Sequence, residues 1–202
     1  TFKNIQFELS DNMDISNTII DSPGKIMSLE TNKTINISNT NIKGRIYNKN
    51  TGTINIKENV QIEDNSTTIY NLKKGTINIG IKDGKIKNNI SIKNNKNNYG
   101  IDNSENGIVN FYDGEIIGGF VNTNSGEKRG TAINGKINDV EDNAIIEKNV
   151  EDEKEIARLA IKNVYKIIET DKKYYTLRDA ILACENQNVT IQVLEDNITT
   201  SK

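Results

Sequence analysis

One pattern recurs along this chain and narrows the folds open to it. It reads Ile46-x-Asn48-x-x-x-Gly52-Thr53-Ile54-Asn55-Ile56, then Ile69-x-Asn71-x-x-x-Gly75-Thr76-Ile77-Asn78-Ile79, then Ile101-x-Asn103-x-x-x-Gly107-Ile108-Val109-Asn110-Phe111. Thr34-Ile35-Asn36-Ile37 is a degenerate earlier copy, and Gly130-Thr131 opens a weak later one. A second pattern sets a glycine and a charged residue before Ile: Gly24-Lys25-Ile26, Gly44-Arg45-Ile46, Gly84-Lys85-Ile86, Gly114-Glu115-Ile116 and Gly135-Lys136-Ile137, with Val60-Gln61-Ile62 filling a gap. Self-similarity at roughly 20–30 residues is the mark of a solenoid, one coil per repeat. Apolar residues alternate within each copy, which is the period of a half-buried strand and not of a helix. The interval from Gly75 to Gly107 is the longest and contains Lys93-Asn94-Asn95-Lys96-Asn97-Asn98, expected to bulge as a loop.

Stacking such copies puts Ile54 over Ile77 and Ile56 over Ile79, forming a dry β-branched column. The intervening Asn36, Asn55, Asn78 and Asn110 then face outward in register and hydrogen-bond along the stack. Asn48, Asn71 and Asn103, with Gly52, Gly75 and Gly107 after them, are expected to form turns, where both residue types accept left-handed backbone angles.

After about residue 145 the repeats stop. Ile156, Leu159, Ala160 and Asn163 fall at helical spacing, which predicts a helix over 152–163. Val164 to Ile168 and Lys173 to Tyr175 predict a hairpin. Thr176-x-x-Asp179 resembles a capping box opening a helix from Leu177 to Glu185, with Leu177, Ala180, Ile181 and Cys184 buried. Val189 to Leu194 predicts a last strand. The sequence therefore divides into a β-solenoid over 1–145 and a small α/β module over 146–202 that caps it or leads into a second solenoid. The chain ends within a pattern at Thr200-Ser201-Lys202, as expected of a piece of a longer protein.

Composition excludes several functions. Only 34% of residues are hydrophobic, but regularly spaced Ile supplies a narrow core. With 26 basic and 28 acidic residues interspersed, no basic stripe exists for nucleic acid. A single cysteine, Cys184, rules out an internal disulfide and a cysteine-rich metal site. Absence of histidine removes Ser-His-Asp chemistry and His-ligated metals. No run of the sequence is long enough for a membrane-spanning helix or reads as a signal peptide.

Tyr175-Thr176-Leu177-Arg178-Asp179-Ala180-Ile181-Leu182-Ala183, followed by Thr190-Ile191-Gln192-Val193-Leu194-Glu195-Asp196-Asn197-Ile198, resembles a module of Gram-positive cell-surface proteins. In that family a hairpin, a Leu-x-x-Ala-Ile helix and a strand ending in Leu-x-Asp-x-Ile lead into a parallel β-helix. The Gly-Thr-Ile-Asn-Ile and Asp-Gly-Lys-Ile copies likewise resemble pectin-lyase-like β-helices. The resemblance implies an all-β, right-handed parallel β-helix followed by the α/β segment, displayed extracellularly on a bacterial surface. Such a fold hosts stalks and adhesins as well as lyases and hydrolases.

The expectation is a non-catalytic stalk or adhesin-type module, with a glycan or a protein as partner and neither cofactor nor metal. The alternative is a polysaccharide lyase or glycoside hydrolase acting on acidic polysaccharide, with Asp83 and Asp113 at equivalent turns and Lys85 and Arg129 as cations. Asp-Gly is equally the ordinary turn pair, so no catalytic residue is assigned. Asp102-x-Ser104-x-Asn106-Gly107 with Asp113 matches the early spacing of a calcium loop. The repeat already accounts for those residues, and the last ligand is Asp where Glu is usual. Tyr47 and Tyr70 occupy the same repeat position and are the candidate ligand contacts, an outward ladder. Tyr99 and Tyr112 add to the aromatic content of the repeats, whereas Tyr165, Tyr174 and Tyr175 are expected to pack within the C-terminal module.

Overall fold

A computed structural model describes residues 1–194 except 31, 88, 104, 122, 123 and 185–187. The segment 195–198, the chain end and Ser104 therefore lie outside the described residues, as does Glu185 at the expected helix end. The described chain is all-β apart from one short helix, and most of its strands pair in parallel. It divides into two compact units, Thr1–Asp142 with Ile146–Leu159, and Asn143–Ile145 with Ala160–Lys202.

In the first unit the chain visits three rows of strands in rotation. The first row stacks Met13–Ser16, Thr34–Ser38, Thr53–Ile56, Thr76–Ile79, Ile108–Phe111 and Asp139–Val140, all parallel. Ile54 pairs with Ile35 on one side and Ile77 on the other, and Ile56 with Ile37 and Ile79. These six isoleucines are at most 1% exposed, each contributing about 1.5–3 kcal/mol of burial. The second row takes the first half of Ile19–Leu29, the first half of Thr40–Asn48, then Val60–Asp64, Ile90–Asn94 and Glu115–Val121. The third takes the second halves of those two long strands, then Ile69–Asn71, Ile101–Asn103 and Ile133–Gly135. Successive first-row asparagines lie 19, 23 and 32 residues apart. The last interval is the longest because excursions at 80–87 and 95–98 are inserted between strands whose pairing stays fixed.

The corner between the first two rows is a single left-handed asparagine: Asn17 (φ 51°), Asn39 (φ 47°) and Asn59 (φ 52°). In the first two of these, the threonine that follows bonds back to the serine before it, Thr18 Oγ1 to Ser16 O at 2.8 Å and Thr40 Oγ1 to Ser38 O at 2.7 Å. Asn48, Asn71 and Asn103 were the sequence's choice for left-handed turns, and that expectation is corrected: they end the third-row strands with side chains buried inside. Asn71 Nδ2 donates to Gly75 O (2.9 Å), Asn103 Oδ1 (2.8 Å) and Ile108 O (3.1 Å), while Asn71 Oδ1 accepts from Asn48 Nδ2 at 3.2 Å. Gly75 and Gly107 are glycine for a different reason than positive φ. A Cβ at Gly75 would lie 2.7 Å from Asn71 Oδ1, and one at Gly107 2.9 Å from Asn71 Cγ.

The second sequence pattern holds only in part: Ile62 and Ile116 share a second-row column, whereas Ile46 lies on the third row. Ile26 pairs with Arg45, one place out of step with Ile46, and Ile86 lies in no strand. The true second-row column is Ile42, Ile62, Ile92 and Ile116. Gly-charged-Ile is a common exit from a turn, so its copies scatter over the rows.

The helix expected over 152–163 is a β-hairpin instead. Ala144–Glu151 and Lys154–Ile161 are strands joined through Asp152 (φ 48°) and Glu153 (φ 59°), the geometry of a tight primed turn. The second strand closes the open edge of Glu115–Val121 by antiparallel pairing, Glu115 opposite Arg158 and Ile116 opposite Ala157. Unpaired backbone at a sheet edge is costly to leave open, and that demand overrides the helical spacing.

The second unit is a three-stranded antiparallel sheet, with Tyr165–Ile167 between Lys173–Tyr174 and Ile191–Val193, and the helix Leu177–Leu182. The hairpin, helix and strand stand where the sequence expected them. Thr176 caps the helix, its Oγ1 accepting from Asp179 N at 3.1 Å. Val164, Tyr165 and Ala180 form the core, with Tyr174, Tyr175 and Ile191 against it. The expected helix core is corrected: Leu177 and Ile181 are exposed and Cys184 is half-buried, because the small sheet covers only the Ala180 side.

Candidate functional site

Tyr47 and Tyr70 sit on the outer face of the third row, directly paired in the register of Thr40–Asn48 with Ile69–Asn71. Their rings stack at 4.3 Å between centroids and 20° between planes, within the geometry that favours offset stacking. Both are half-buried. Burial and then the neighbouring Tyr70 raise the pKa of the Tyr47 hydroxyl, while Arg45 opposes the rise. The same outward column places Glu8 and Ser28 before the tyrosines and Asp102 and Asn134 after them. Asn134 Nδ2 donates to Asp102 Oδ1 at 3.0 Å.

Beside this platform the chain folds a clasp that the sequence did not announce. Asp64, 3% exposed, accepts from Gly24 N (3.0 Å) and Ser66 N (2.7 Å). Arg45 Nε lies 3.4 Å from Asp64 Oδ1, long for a hydrogen bond, so that contact is ionic. The excursion 22–25 is thereby tied across the Thr40–Asn48 strand, whose Gly44 passes beneath Ser22 O. Only the sequence distance of 40 residues between Gly24 and Asp64 hid it.

Of the residues of the enzymatic alternative, Asp83, Lys85 and Asp113 line one small hollow with Lys57, Glu58 and Lys87, while Arg129 lies apart from them. Asp83 lies in the 80–87 excursion, 4.0 Å from Lys87, its Oδ1 accepting from Lys85 N. Asp113 is 4% exposed and its carboxylate organises a turn, accepting from Lys87 N and Gly114 N at 2.8 Å each. The two are not equivalent in the stack, since Asp113 stands over Gly80. Arg129 pairs with Glu127 and is set opposite Phe120, at the far end of Glu115–Val121 from Asp113. Seven residues of strand separate those ends, roughly 20 Å at about 3.3 Å per residue. The calcium spacing fails likewise: Asp102 is on the third row and Asp113 at the corner before the second. Among the described residues no three acidic or cysteine side chains converge as metal ligands.

A cluster the sequence did not single out holds the end of the first row. Lys82 bridges Asp139 (3.1 Å) and Asp142 (2.8 Å), Tyr112 OH donates to Asp139 Oδ2 at 3.0 Å, and Lys82 lies over the Tyr112 ring. Lys82 and then Tyr112 hold Asp139 below the usual carboxylate range, and Asp142 and Asp139 raise Lys82. Buried Glu141 accepts from Asp83 N and Gly84 N, anchoring the excursion. One lysine is shared by two aspartates and Glu141 is held by backbone N–H groups, so the cluster ties the excursion to the end of the first row.

Among the described residues no helix is long and apolar enough to cross a membrane. No protein-family model, curated protein or solved structure matches this chain.

Proposed function

We propose that the first unit is a right-handed parallel β-helix acting as a non-catalytic, surface-displayed stalk with an adhesin-type binding face, on which Tyr47 and Tyr70 contact a glycan or protein ligand. The observation that carries the reading is the rotation of the chain through three rows whose strands pair with the preceding and following repeat. Crossovers between parallel strands of one sheet are right-handed in nearly all proteins. Polar side chains are spent on pairing along the stack, Asn to Asn, and the Asp113 carboxylate on accepting from the backbone N–H groups of Lys87 and Gly114. A stacked tyrosine pair offers a rigid, amphipathic contact at low entropic cost, the kind of anchor that dominates recognition surfaces.

The test is to pass soluble neutral and anionic oligosaccharides over the immobilised chain, with chain shortening scored in parallel. Retention without shortening, weakened about 10-fold by Tyr47→Ala or Tyr70→Ala as one lost anchor of ~1.4 kcal/mol implies, is the expected result. Shortening of any polymer would overturn the non-catalytic reading, and retention untouched by both substitutions would remove the tyrosines from it.

A further inference from the structure

The outer face of the first row is a second surface, distinct from the tyrosine platform. Across Thr34–Ser38, Thr53–Ile56 and Thr76–Ile79 the outward side chains are Thr34, Asn36, Ser38, Thr53, Asn55, Thr76 and Asn78, none of them charged. In a chain with 27% charged residues, this strip stands apart. The second row's outer face, by contrast, carries Lys43, Glu63, Lys93 and Glu115. Charge returns at the borders of the strip, with the Lys33–Asp11 pair, Asp14, Lys57 and the Lys82–Asp139 pair.

Register makes the strip a lattice. Thr34, Thr53 and Thr76 pair in one rank, and Asp14, Asn36, Asn55, Asn78 and Asn110 in the next. The ranks repeat at about 4.8 Å along the stack and about 6.7 Å along the strands. Both ranks are held still. Asn36, Asn55, Asn78 and Asn110 each donate from Nδ2 to the preceding Oδ1 at 2.7–2.9 Å, and threonine is stiff about χ1. Asn36, Asn55 and Asn78 each spend one N–H and one lone pair on the stack, and so retain one of each. The threonine hydroxyls supply a donor and an acceptor apiece.

We infer that this strip binds the surface of an insoluble, uncharged, hydroxyl-rich polysaccharide. A polyanion would need cations on the face, and a protein partner would need an apolar centre. A flexible soluble glycan would lose entropy for hydrogen bonds that water already supplies. Two rigid arrays meeting pay no such ordering cost, and many weak bonds then act together.

The experiment is co-sedimentation of the full chain with microcrystalline cellulose and with chitin, at low salt and at about 1 M salt, where the Debye length is only ~3 Å. The expected result is sedimentation with at least one solid, insensitive to salt and persisting when Tyr47→Ala with Tyr70→Ala removes the platform. Thr53→Val with Thr76→Val keeps shape and strand preference but removes two hydroxyls, and weakens adsorption about 10-fold. Thr53→Ser with Thr76→Ser restores it. Failure to sediment with either solid, elution by salt, or equal adsorption of the valine variant would each overturn the inference. So would adsorption lost in the tyrosine variant, which would move binding to the platform, or thermal hysteresis without polysaccharide adsorption, which would assign the lattice to ice.

Discussion

Replacing Asn71 by aspartate changes one atom's chemistry and almost no volume, which isolates the electrostatics of the inner ladder. Asn71 Nδ2 faces three acceptors, Gly75 O, Asn103 Oδ1 and Ile108 O, and the residue is fully buried. In Asn71→Asp an oxygen meets those acceptors. Loss of the donor leaves buried carbonyls unpaired at about 1–3 kcal/mol each. An unpaired buried carboxylate also has its pKa raised by about 3–5 units, and each unit costs 1.36 kcal/mol up to the working pH, so ~4 kcal/mol is added at pH 7. The sum rivals a whole domain's stability of about 5–15 kcal/mol. Because the folded pKa is raised, the ionisation cost is absent below the unfolded value near ~3.9 and grows with pH until the folded pKa is passed. At pH 4.5 it has shrunk to about 1 kcal/mol. The control is Asn55→Asp on the half-buried outer ladder, where Asp14 already ends the column by accepting from Asn36, and where the cost stays below about 1 kcal/mol. Urea unfolding followed by strand circular dichroism at pH 7 and 4.5 measures both. An inner variant within 1 kcal/mol of the parent at pH 7, or an outer variant equally damaged, would refute the argument that burial decides the worth of these ladders.

Gly107→Ala is expected to cost about 2–3 kcal/mol although its φ is ordinary, because the added Cβ strikes Asn71 and Asn103; chemical unfolding within 0.5 kcal/mol of the parent would show that the ladder yields. Stability should be flat from about pH 5.5 to 9, since the chain has no histidine. On the acid side, Glu30, Asp139 and Glu151 have lowered pKa values, so their contribution is present above the ordinary 4.5 and 3.8 and is lost as pH falls through the lowered values. On the alkaline side Tyr47 and Tyr112 are raised, so theirs holds up to about pH 10 and is lost above it. Melting temperature against pH checks both arms, and a fall between pH 6 and 8 would contradict them.

Where the sequence repeats one residue type at one position, its reading of the structure holds. Ile54 over Ile77 and Asn55 beside Asn78 follow from alternation and copy number alone, since parallel in-register stacking is the arrangement that buries every Ile and pairs every Asn. Stacked tyrosines at 47 and 70 follow from the same equivalence. Orientation at a strand's end does not. Asn48, Asn71 and Asn103 precede glycines, as turn residues do, and nothing local distinguishes a left-handed asparagine from one turned inward onto its neighbours' carbonyls. The Ser-Asn-Thr triplets at 16–18 and 38–40 carried the true corner signal, and their 22-residue spacing made it available.

Residues 144–161 mark the limit of local reading. Ile156, Leu159 and Ala160 suit a helix by spacing, yet the free edge of Glu115–Val121 recruits them as a strand, and that edge exists only once the repeats have stacked. Asp64, Arg45 and Gly24 are likewise joined only by tertiary structure, as are Lys82, Asp139 and Tyr112. Within the stacked repeat strands, periodicity by itself determined which residues face inward and which face outward, because that depends on the alternation of neighbouring side chains. Which polar groups meet was decided by the stacking of strands 19–32 residues apart, because hydrogen bonds and ion pairs depend on positions in space that no local window of sequence contains.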